Sequence, residues 1–277
     1  MSDGQPQVRL GRAGDVIKLI GRRPPMEPTR SLAGRRALVT GASRGIGAAI
    51  ARRFAELGAD VVLAARTTSA IESLAEDLGK LGVRALPVQA DMTDRDSLDA
   101  LMTRVATGRL DILVNNAGVL PAARPAREVG WAEWDATLSL NLSSPWYLSC
   151  RARDLMDAGG VIVNNASTAS YYPSRGLVAY NVSKSALVML TRVLALEWAR
   201  DGVRVVGIAP GKIDTDLVQP ILRWSEQRNL PLNPMRRIGG QDEVADLVAF
   251  LVSDEARYIT GVTIPIDGGE LLDHASH

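Results

Sequence analysis

Seven short β-branched runs alternate with segments of helical character from Leu32 onward. The runs are Ala37–Thr40, Asp60–Ala65, Arg84–Val88, Leu110–Val114, Val161–Asn164, Val203–Ile208 and Val262–Ile266. This alternation is typical of βαβ units, in which helices cover both sides of a parallel sheet. Because the crossovers in such units are right-handed, we expect a single-domain α/β fold, a doubly wound parallel β-sheet of about seven strands with helices on both faces.

The first 31 residues lie outside this pattern. They contain repeated Gly and Pro, and their Arg and Lys residues outnumber their acids. Such a composition predicts a flexible or surface-draped basic arm. We therefore expect an arm over residues 1–31, one domain over residues 32–270 and a short tail over residues 271–277.

Composition argues against several classes of protein and of site. The formal net charge of +1 gives no global attraction to nucleic acid or to an anionic membrane, and no apolar run has the length of a membrane span. The single cysteine, Cys150, and the lack of a signal-peptide core indicate the cytoplasm. Both histidines, His274 and His277, lie in the tail, which argues against a histidine-based triad or metal site. We therefore expect no metal, no nucleic-acid partner and no membrane partner.

A glycine-rich segment connects the first predicted strand to a helix predicted over Ala48–Leu57. It contains Gly41, Gly45 and Gly47. Glycines at such a connection let the backbone turn tightly and approach a phosphate, and the N-terminus of the helix offers unpaired N–H groups. The position of the segment between strand and helix, early in an α/β pattern, indicates a Rossmann-like dinucleotide site.

The end of the second strand indicates which dinucleotide is bound. A fold that prefers NAD(H) usually places an acid there for the ribose hydroxyls, but this chain has Ala65 followed by Arg66, and Arg44 lies in the glycine segment. Guanidinium groups bind a 2′-phosphate by charge-assisted hydrogen bonds, whereas a carboxylate repels it. We therefore expect NADP(H) rather than NAD(H), the alternative being that both arginines are ordinary surface charges.

Tyr180 and Lys184 lie four residues apart in a segment predicted to be helical from Ala179 to Arg200. Residues i and i+4 share one face of a helix, so the phenol and the ammonium point the same way. A cation about 4 Å from a phenol in a partly buried site is strong enough to move a tyrosine pKa from ~10 toward roughly 7. The spacing also arises by chance on amphipathic helices, so the other motifs decide its meaning.

Several further motifs follow one another in a fixed order between about Leu32 and Gly269. They are the glycine segment, Asp91-Met92, Asn115-Asn116-Ala117-Gly118, Ser167 with Tyr180 and Lys184, Pro210-Gly211-Lys212-Ile213-Asp214-Thr215, and Asp267-Gly268-Gly269. Together they resemble the short-chain dehydrogenase/reductase family. The branches most similar are the NADP-dependent carbonyl reductases and the tropinone-reductase-like enzymes, with the 3-oxoacyl-carrier-protein reductases close to them. The resemblance implies a homodimer or homotetramer.

Carried over to this chain, the resemblance implies a catalytic set and a set of cofactor contacts. The catalytic residues would be Asn141, Ser167, Tyr180 and Lys184. The cofactor contacts would be Gly41, Ser43, Arg44, Gly45, Ile46, Gly47, Arg66, Asp91, Met92, Asn115, Ala117, Gly118, Tyr180, Lys184, Pro210, Gly211, Ile213 and Thr215.

The implied activity is hydride transfer between the nicotinamide and a carbonyl or secondary alcohol. Tyr180 would exchange a proton with the substrate oxygen, which Ser167 would hold, and Lys184 would keep the phenol acidic and bind the nicotinamide ribose. Asn141 would place a water that relays protons. Two of these residues also have simpler structural interpretations. Ser167 could cap its own backbone, and Asn141 could be a turn residue before a helix predicted over Leu142–Asp157.

The substrate is expected to be a small lipophilic ketone or alcohol. The proline-rich segment Asp216–Pro234 is predicted to form a lid, and an apolar pocket is predicted from Val119, Leu120, Tyr171, Tyr172 and Trp224. Two other functions stay open. One is reduction of a 3-oxoacyl thioester; the other is a non-catalytic dinucleotide-binding sensor, which would not need both Tyr180 and Lys184.

Overall fold

The computed structural model describes residues 31–216, 218 and 233–273. The predicted basic arm, apart from its last residue, therefore lies outside the described residues. So do most of the predicted lid, including Trp224, and the last four residues of the tail.

Seven parallel strands form one sheet within the described part of the chain. Their order across the sheet is β3-β2-β1-β4-β5-β6-β7, so the direction of winding reverses between β1 and β4. This arrangement confirms the predicted doubly wound α/β fold, and the strand positions agree with the prediction to within two residues at each end. The strands are β1 (Arg36–Thr40), β2 (Asp60–Ala65), β3 (Ala85–Gln89), β4 (Ile112–Asn115), β5 (Val161–Asn165), β6 (Arg204–Pro210) and β7 (Thr263–Ile266).

The helices differ from the prediction by a few residues at their ends. The first helix begins at Gly45 rather than Ala48, so that the glycine segment itself supplies its first turn. The helix predicted over Leu142–Asp157 covers Ser144–Arg153 and is joined to an earlier helix by a π-helical turn, Ser139–Ser143. The helices are α1 (Gly45–Glu56), α2 (Thr68–Gly79), α3 (Arg95–Val105), α4 (Trp131–Leu138), α5 (Ser144–Arg153), α6 (Val178–Trp198), α7 (Gln241–Val252) and α8 (Glu270–Asp273).

Two apolar layers cover the sheet, one on each face. Alternate residues of a strand point to opposite faces, so that Val39 joins the layer under α1, α2 and α7, whereas Leu38 joins the layer under α3, α5 and α6. Both side chains are fully buried. Burial on both faces explains why the strands read as nearly continuous apolar runs. None of the described helices is long and apolar enough to cross a membrane.

Substitution of Phe54 measures how much the apolar layer under α1, α2 and α7 contributes to stability. It is fully buried on α1, whereas Phe250 on α7, the other phenylalanine of the chain, is 45% exposed. We expect Phe54→Ala to lower the free energy of unfolding by about 3–5 kcal/mol, because it removes buried apolar area and leaves a cavity. Phe250→Ala is the control and should cost less than about 1 kcal/mol. The free energy of unfolding of each variant is measured by denaturant titration. Equal losses of this free energy in the two variants would contradict this account of the core.

Candidate active site

A cavity of about 1380 Å³ opens at the carboxyl edge of the sheet. Loops that follow β1, β2, β3, β4, β5 and β6 contribute to its walls. The strand order reverses between β1 and β4, and the loops after both strands line the cavity. Open α/β sheets bind their ligands at this position, because the loops on either side leave in opposite directions and create a crevice.

The glycine segment has the geometry of a phosphate cradle. Gly41 and Gly45 have φ angles of +65° and +59°, which side-chain-bearing residues rarely adopt. A Cβ atom at Gly47 would lie 2.3 Å from the carbonyl oxygen of Gly41, so only glycine lets α1 approach the loop this closely. The first turn of α1 contains no acidic side chain. The helix therefore directs unpaired N–H groups and a positive dipole end toward the cavity, as an anionic ligand requires.

Thr40 and Asn116 hold this loop against the end of β4, a contact that the sequence reasoning did not anticipate. Thr40 Oγ1 donates to the carbonyl of Val114 at 3.2 Å and accepts the N–H groups of Asn116 and Ala117, each at 3.0 Å. Asn116 Nδ2 donates to the carbonyls of Thr40 and Gly41 at 3.0 and 3.3 Å. The contact could have been predicted, because both polar residues lie at the carboxyl ends of strands that are neighbours in a doubly wound sheet.

Asn115 occupies a different place from the one predicted. Its side chain is buried beneath the cavity, where Nδ2 donates to Asn164 Oδ1 at 2.9 Å and to Ser149 Oγ at 3.0 Å. Asn115 does not line the cavity, whereas Asn116 does. The structure therefore places the Asn115 side chain away from the cavity, and a cofactor contact of Asn115 stays a prediction. Successive residues of a strand face opposite sides, and Asn115 is the last residue of β4.

Two arginines lie at the end of the cavity where a 2′-phosphate was expected. Arg66 follows β2 and Arg44 follows the first glycine, and both line the cavity. Arg44 pairs with Asp216 at 3.1 Å, and both side chains are almost four-fifths exposed. An exposed pair of this kind contributes no more than about 1 kcal/mol, so a phosphate can displace the carboxylate at little cost. The arginine positions therefore fit the predicted preference for NADP(H).

Asp91 and Met92 line the same end of the cavity. The Asp91 carboxylate accepts two hydrogen bonds from Thr93, at 2.9 Å from its N–H and at 2.8 Å from its hydroxyl. These bonds lower the pKa of Asp91, because they favour the charged form. The Asp91 N–H donates to Ser97 Oγ at 2.8 Å. The loop after β3 is therefore fixed, with an ionised carboxylate in the cavity wall.

Ser167 and Tyr180 meet at the opposite end of the cavity, as predicted. Ser167 follows β5, and Tyr180 lies in the first turn of α6. The two hydroxyls are hydrogen-bonded, and burial raises the pKa of Tyr180, an effect that the bond to Ser167 partly offsets. Ser167 Oγ also accepts the N–H of Ala169 at 3.2 Å. Ser167 thus both caps its own turn and holds a polar group against the phenol.

Lys184 lies one turn beyond Tyr180 and is only 4% exposed. Its Nζ donates to the carbonyl of Asn165 at 2.7 Å and lies 5.9 Å from the centroid of the Tyr180 ring. Burial lowers the pKa of Lys184 to about 8, because the charged form is poorly solvated there. Burial is the largest influence on the pKa of Tyr180 and raises it. The expected lowering of the tyrosine pKa is therefore absent from this arrangement.

Asn141 lies in the π-helical turn between α4 and α5, not in a turn before a helix. It is fully buried, accepts the N–H of Val119 at 2.9 Å, and donates to the carbonyl of Val119 at 3.0 Å and to Ser183 Oγ at 3.1 Å. A Cβ atom at Gly118 would lie 3.2 Å from Asn141 Oδ1 and 3.5 Å from Lys184 Nζ. Gly118 therefore lets Asn141 and Lys184 lie close together, and π turns of this kind are frequent at functional sites.

Some of the remaining residues that were predicted to contact a cofactor or substrate line the cavity, and others do not. Tyr171 is exposed, donates to the carbonyl of Thr263 at 3.3 Å and does not line the cavity, so its prediction as a pocket residue is wrong. Gly47 and Asn141 lie behind the wall, and Trp224 lies outside the described residues. The predicted residues that do line the cavity, besides those already described, are Ser43, Ile46, Ala117, Gly118, Val119, Leu120, Tyr172, Pro210, Gly211, Ile213 and Thr215.

A charged cluster in the wall of the same cavity was not predicted. Lys212 follows β6, Glu270 follows β7, and both line the cavity with Tyr172. An ion pair could have been predicted here, because the two opposite charges follow neighbouring parallel strands. The carboxyl ends of such strands meet at one edge of the sheet. Among the described residues, no group of three or more His, Cys, Asp or Glu side chains is placed to hold a metal ion.

Comparison with known proteins gives matches over most of the chain. The family model described as enoyl-(acyl carrier protein) reductase matches residues 41–270. D-threitol dehydrogenase of Mycolicibacterium smegmatis is 41% identical over 246 residues, which are 86% of this chain and 93% of that protein. The 3-oxoacyl-[acyl-carrier-protein] reductase FabG of Thermotoga maritima is 34% identical over 245 residues, which are 87% of this chain and 99% of that protein.

A solved structure shows the same architecture. A short chain dehydrogenase from Burkholderia cenocepacia J2315, crystallised in complex with NADP, superposes with a TM-score of 0.81 at 37% identity. The match covers 87% of this chain and 99% of that one. With Ser167, Tyr180 and Lys184 together at the carboxyl edge of a doubly wound sheet, this chain belongs to the short-chain dehydrogenase/reductase family of oxidoreductases.

Proposed function

We propose that the protein is an NADP(H)-dependent oxidoreductase that interconverts a small ketone and its secondary alcohol. The observation that carries the proposal is the hydrogen-bonded pair Ser167–Tyr180 with the buried ammonium of Lys184 one helical turn away, at the end of a cavity large enough for a dinucleotide. A hydroxyl pair beside a buried cation is an arrangement that can hold a carbonyl oxygen and give it a proton.

Tyr180 is the proposed proton donor. Because burial raises its pKa, the phenol keeps its proton at neutral pH and can give it to the oxygen of a carbonyl during reduction. Ser167, bonded to the phenol, would hold the substrate oxygen within hydrogen-bond distance of it. In the reverse direction Tyr180 must first lose its proton, so the raised pKa favours reduction over alcohol oxidation at neutral pH.

Lys184 and Asn141 are proposed to support Tyr180 rather than to touch the substrate. A lysine with a pKa of about 8 is still mostly protonated at pH 7 and can return a proton to the phenol after each cycle. Asn141 fixes the backbone at Val119 and lies beside Lys184, where it is placed to order a water molecule. The role of Asn141 agrees with the one that the family resemblance implies, whereas Lys184 is proposed to resupply a proton rather than to lower the pKa of the phenol.

The cavity fits NADP(H), which when bound supplies or accepts the hydride. The glycine segment and the start of α1 would hold the pyrophosphate, and Arg44 and Arg66 would hold the 2′-phosphate. The NADP complex of the Burkholderia relative supports this preference. Pro210, Gly211, Ile213 and Thr215 line the cavity and would border the nicotinamide.

The substrate is proposed to have an apolar body. Val119, Leu120, Leu140, Ala169 and Leu177 form apolar parts of the wall. Reduction of a 3-oxoacyl thioester is the second candidate, and the similarity to the Thermotoga maritima FabG protein supports it. Parallel assays with an acetoacetyl thioester and with cyclic ketones, followed by NADPH absorbance, separate the two. A purely dinucleotide-binding role is disfavoured, because such a protein would not need the Ser167–Tyr180–Lys184 arrangement.

A homodimer or homotetramer is proposed from an exposed apolar face of α6. Val182, Met189, Val193 and Leu196 are all more than two-fifths exposed and recur at helical spacing, so they lie on one side of the helix. Trp146 on α5 is half exposed. Contiguous apolar surface of this kind is unusual on a monomer, and a second copy of the chain is the proposed partner. A cytoplasmic location stays a prediction from the sequence.

Gly47→Ala tests the phosphate cradle. Because the added methyl group would lie 2.3 Å from the Gly41 carbonyl oxygen, the loop must shift, and we expect NADPH affinity to fall at least about 100-fold. Gly79→Ala is the matched control, because a Cβ there meets nothing within 4 Å, and its affinity should equal that of the wild type. Fluorescence titration with NADPH measures both. Wild-type affinity in Gly47→Ala would refute the proposed cradle.

Arg66→Asp tests the 2′-phosphate site. Replacing a cation by an anion removes a charge-assisted bond worth about 1.5–3 kcal/mol and adds repulsion. We expect kcat/KM with NADPH to fall about 10- to 100-fold, and the preference to shift toward NADH. Arg127→Asp, whose arginine is 86% exposed and away from the cavity, is the control. An unchanged ratio of the two cofactors in Arg66→Asp would show that the arginine is only a surface charge.

Tyr180→Phe tests the acid/base role. Loss of the phenolic proton should lower kcat for ketone reduction about 100- to 10,000-fold while NADPH still binds. Tyr171→Phe, which removes a hydroxyl outside the cavity, should keep full activity. Turnover is followed by nicotinamide absorbance and binding by fluorescence. Near-normal turnover of Tyr180→Phe would be incompatible with the mechanism.

A further inference from the structure

Arg44 and Asp216 form an ion pair that joins the two sides of the cavity. Arg44 lies in the glycine segment after β1 and Asp216 in the loop after β6, and Arg44 Nη1 donates to Asp216 Oδ2 at 3.1 Å. Both residues line the cavity. Strands β4 and β5 lie between β1 and β6 in the sheet, so the two loops approach each other over the carboxyl ends of both strands.

Backbone contacts keep the carboxylate of Asp216 close to the glycine segment. A Cβ atom at Gly45 would lie 3.5 Å from Thr215 Cγ2, so the threonine methyl group lies directly beside this glycine. The loop that carries Thr215 is itself fixed, because the Asp214 N–H donates to the carbonyl of Gly239 at 2.9 Å. The Asp216 carboxylate is therefore presented to the guanidinium by its neighbours in the chain.

The two arginines proposed to bind the 2′-phosphate differ in their surroundings. The hydrogen bonds from Thr93, and after them the charge of Arg66, lower the pKa of Asp91. Asp91 and Arg66 thus interact through space, while Asp91 Oδ1 accepts both of its hydrogen bonds from Thr93. Arg44, in contrast, donates a hydrogen bond directly to a carboxylate. A phosphate that binds Arg44 in the same place has to replace that carboxylate.

We propose that Asp216 competes with the 2′-phosphate of NADP(H) for Arg44 and so limits how strongly the protein prefers NADP(H) over NAD(H). This inference rests on the proposed preference for NADP(H). NAD(H) carries a hydroxyl in place of the 2′-phosphate, so its binding leaves the ion pair intact. Only the phosphorylated cofactor exchanges one anion at Arg44 for another, and the preference depends on the difference between the two interactions.

The exposure of the pair determines the size of the effect. Both side chains are almost four-fifths exposed, and ion pairs of this kind contribute little to stability. Competition by the carboxylate therefore lowers the affinity for the phosphorylated cofactor about three- to fivefold. An effect of this size reduces the preference for NADP(H) without reversing it.

Asp216→Asn tests the competition, because asparagine has a similar size and no charge. The probes are 2′,5′-ADP and 5′-AMP, which differ only in the 2′-phosphate, and their Kd values are measured by calorimetry in a buffer without phosphate or sulfate. We expect the ratio of the Kd of 5′-AMP to that of 2′,5′-ADP to rise about three- to fivefold in the variant. The ratio cancels any repulsion that Asp216 exerts on the 5′-phosphate, which both probes carry.

Two further measurements accompany this titration. Fluorescence titrations with NADPH and NADH should show the same change in the ratio of their Kd values. Glu128→Gln is the control, because it removes one exposed carboxylate that pairs with Arg127 outside the cavity, and it should leave both ratios unchanged. Thermal unfolding verifies that each variant retains its fold.

A double-mutant cycle separates competition for Arg44 from direct repulsion between Asp216 and the 2′-phosphate. Arg44→Gln removes the shared partner and should lower the ratio at least about fivefold, because a charge-assisted hydrogen bond is lost. In this background, Asp216→Asn should leave the ratio unchanged, since no guanidinium is left to compete for. Direct repulsion would instead raise the ratio in the double variant as well.

The outcomes separate this inference from the proposed function. An unchanged ratio in Arg44→Gln would refute the 2′-phosphate contact of Arg44 and the inference together. A lowered ratio in Arg44→Gln with an unchanged ratio in Asp216→Asn would overturn the inference alone, as would a gain that persists in the double variant. The expected cycle in a protein that turns over no ketone or alcohol would support the inference and refute the proposed oxidoreductase activity.

Discussion

The hydrogen bonds between Thr40 and Asn116 are the constraint on which the site depends. They join the carboxyl ends of β1 and β4 at the point where the sheet reverses its winding. Asn165 extends the contact to β5, because its Nδ2 donates to Asn116 Oδ1 at 2.9 Å and its carbonyl accepts Lys184. One connected set of polar contacts therefore runs from the glycine segment to Lys184. Displacing either residue would shift both ends of the cavity together.

Burial, more than pairing, sets the proton chemistry of the site. Desolvation raises the pKa of Tyr180 and lowers that of Lys184, so each group moves toward its neutral form. A neutral phenol and a lysine that titrates near pH 8 are suited to passing a proton to an oxygen and replacing it. The folded protein pays for this with stability: because Lys184 has a lower pKa folded than unfolded, its burial is unfavourable at pH 7, and the penalty fades as pH rises above about 8.

Much of the fold could be predicted from local sequence patterns, and a few residues show where such prediction failed. The period and length of the apolar runs located β2 at Asp60–Ala65 to the residue, and the order of the motifs placed Ser167, Tyr180 and Lys184 in one site. The same reasoning assigned Asn115 to the cavity, when only the pleat of β4 determines that Asn116 faces it. It considered a turn before a helix as the structural alternative for Asn141, and the π-helical turn in which Asn141 lies leaves no signature in composition. Tyr171 and Tyr172 are indistinguishable by sequence, and the direction of one short helical turn separates them.

The sequence by itself determined the doubly wound α/β fold and the glycine-rich loop, since these features depend on short-range spacing. Its resemblance to a known family indicated an oxidoreductase, and Tyr180 with Lys184 as the acid/base is the prediction that follows from that resemblance. Only the tertiary structure determined which side chains surround Ser167, Tyr180 and Lys184. Lys212 and Glu270 are 58 residues apart and form an ion pair only because β6 and β7 are adjacent and parallel. The pKa directions of Tyr180 and Lys184 likewise depend on which atoms exclude water from them. Contacts between distant segments and the degree of burial are properties of the packed molecule, so no local pattern in the chain encodes them.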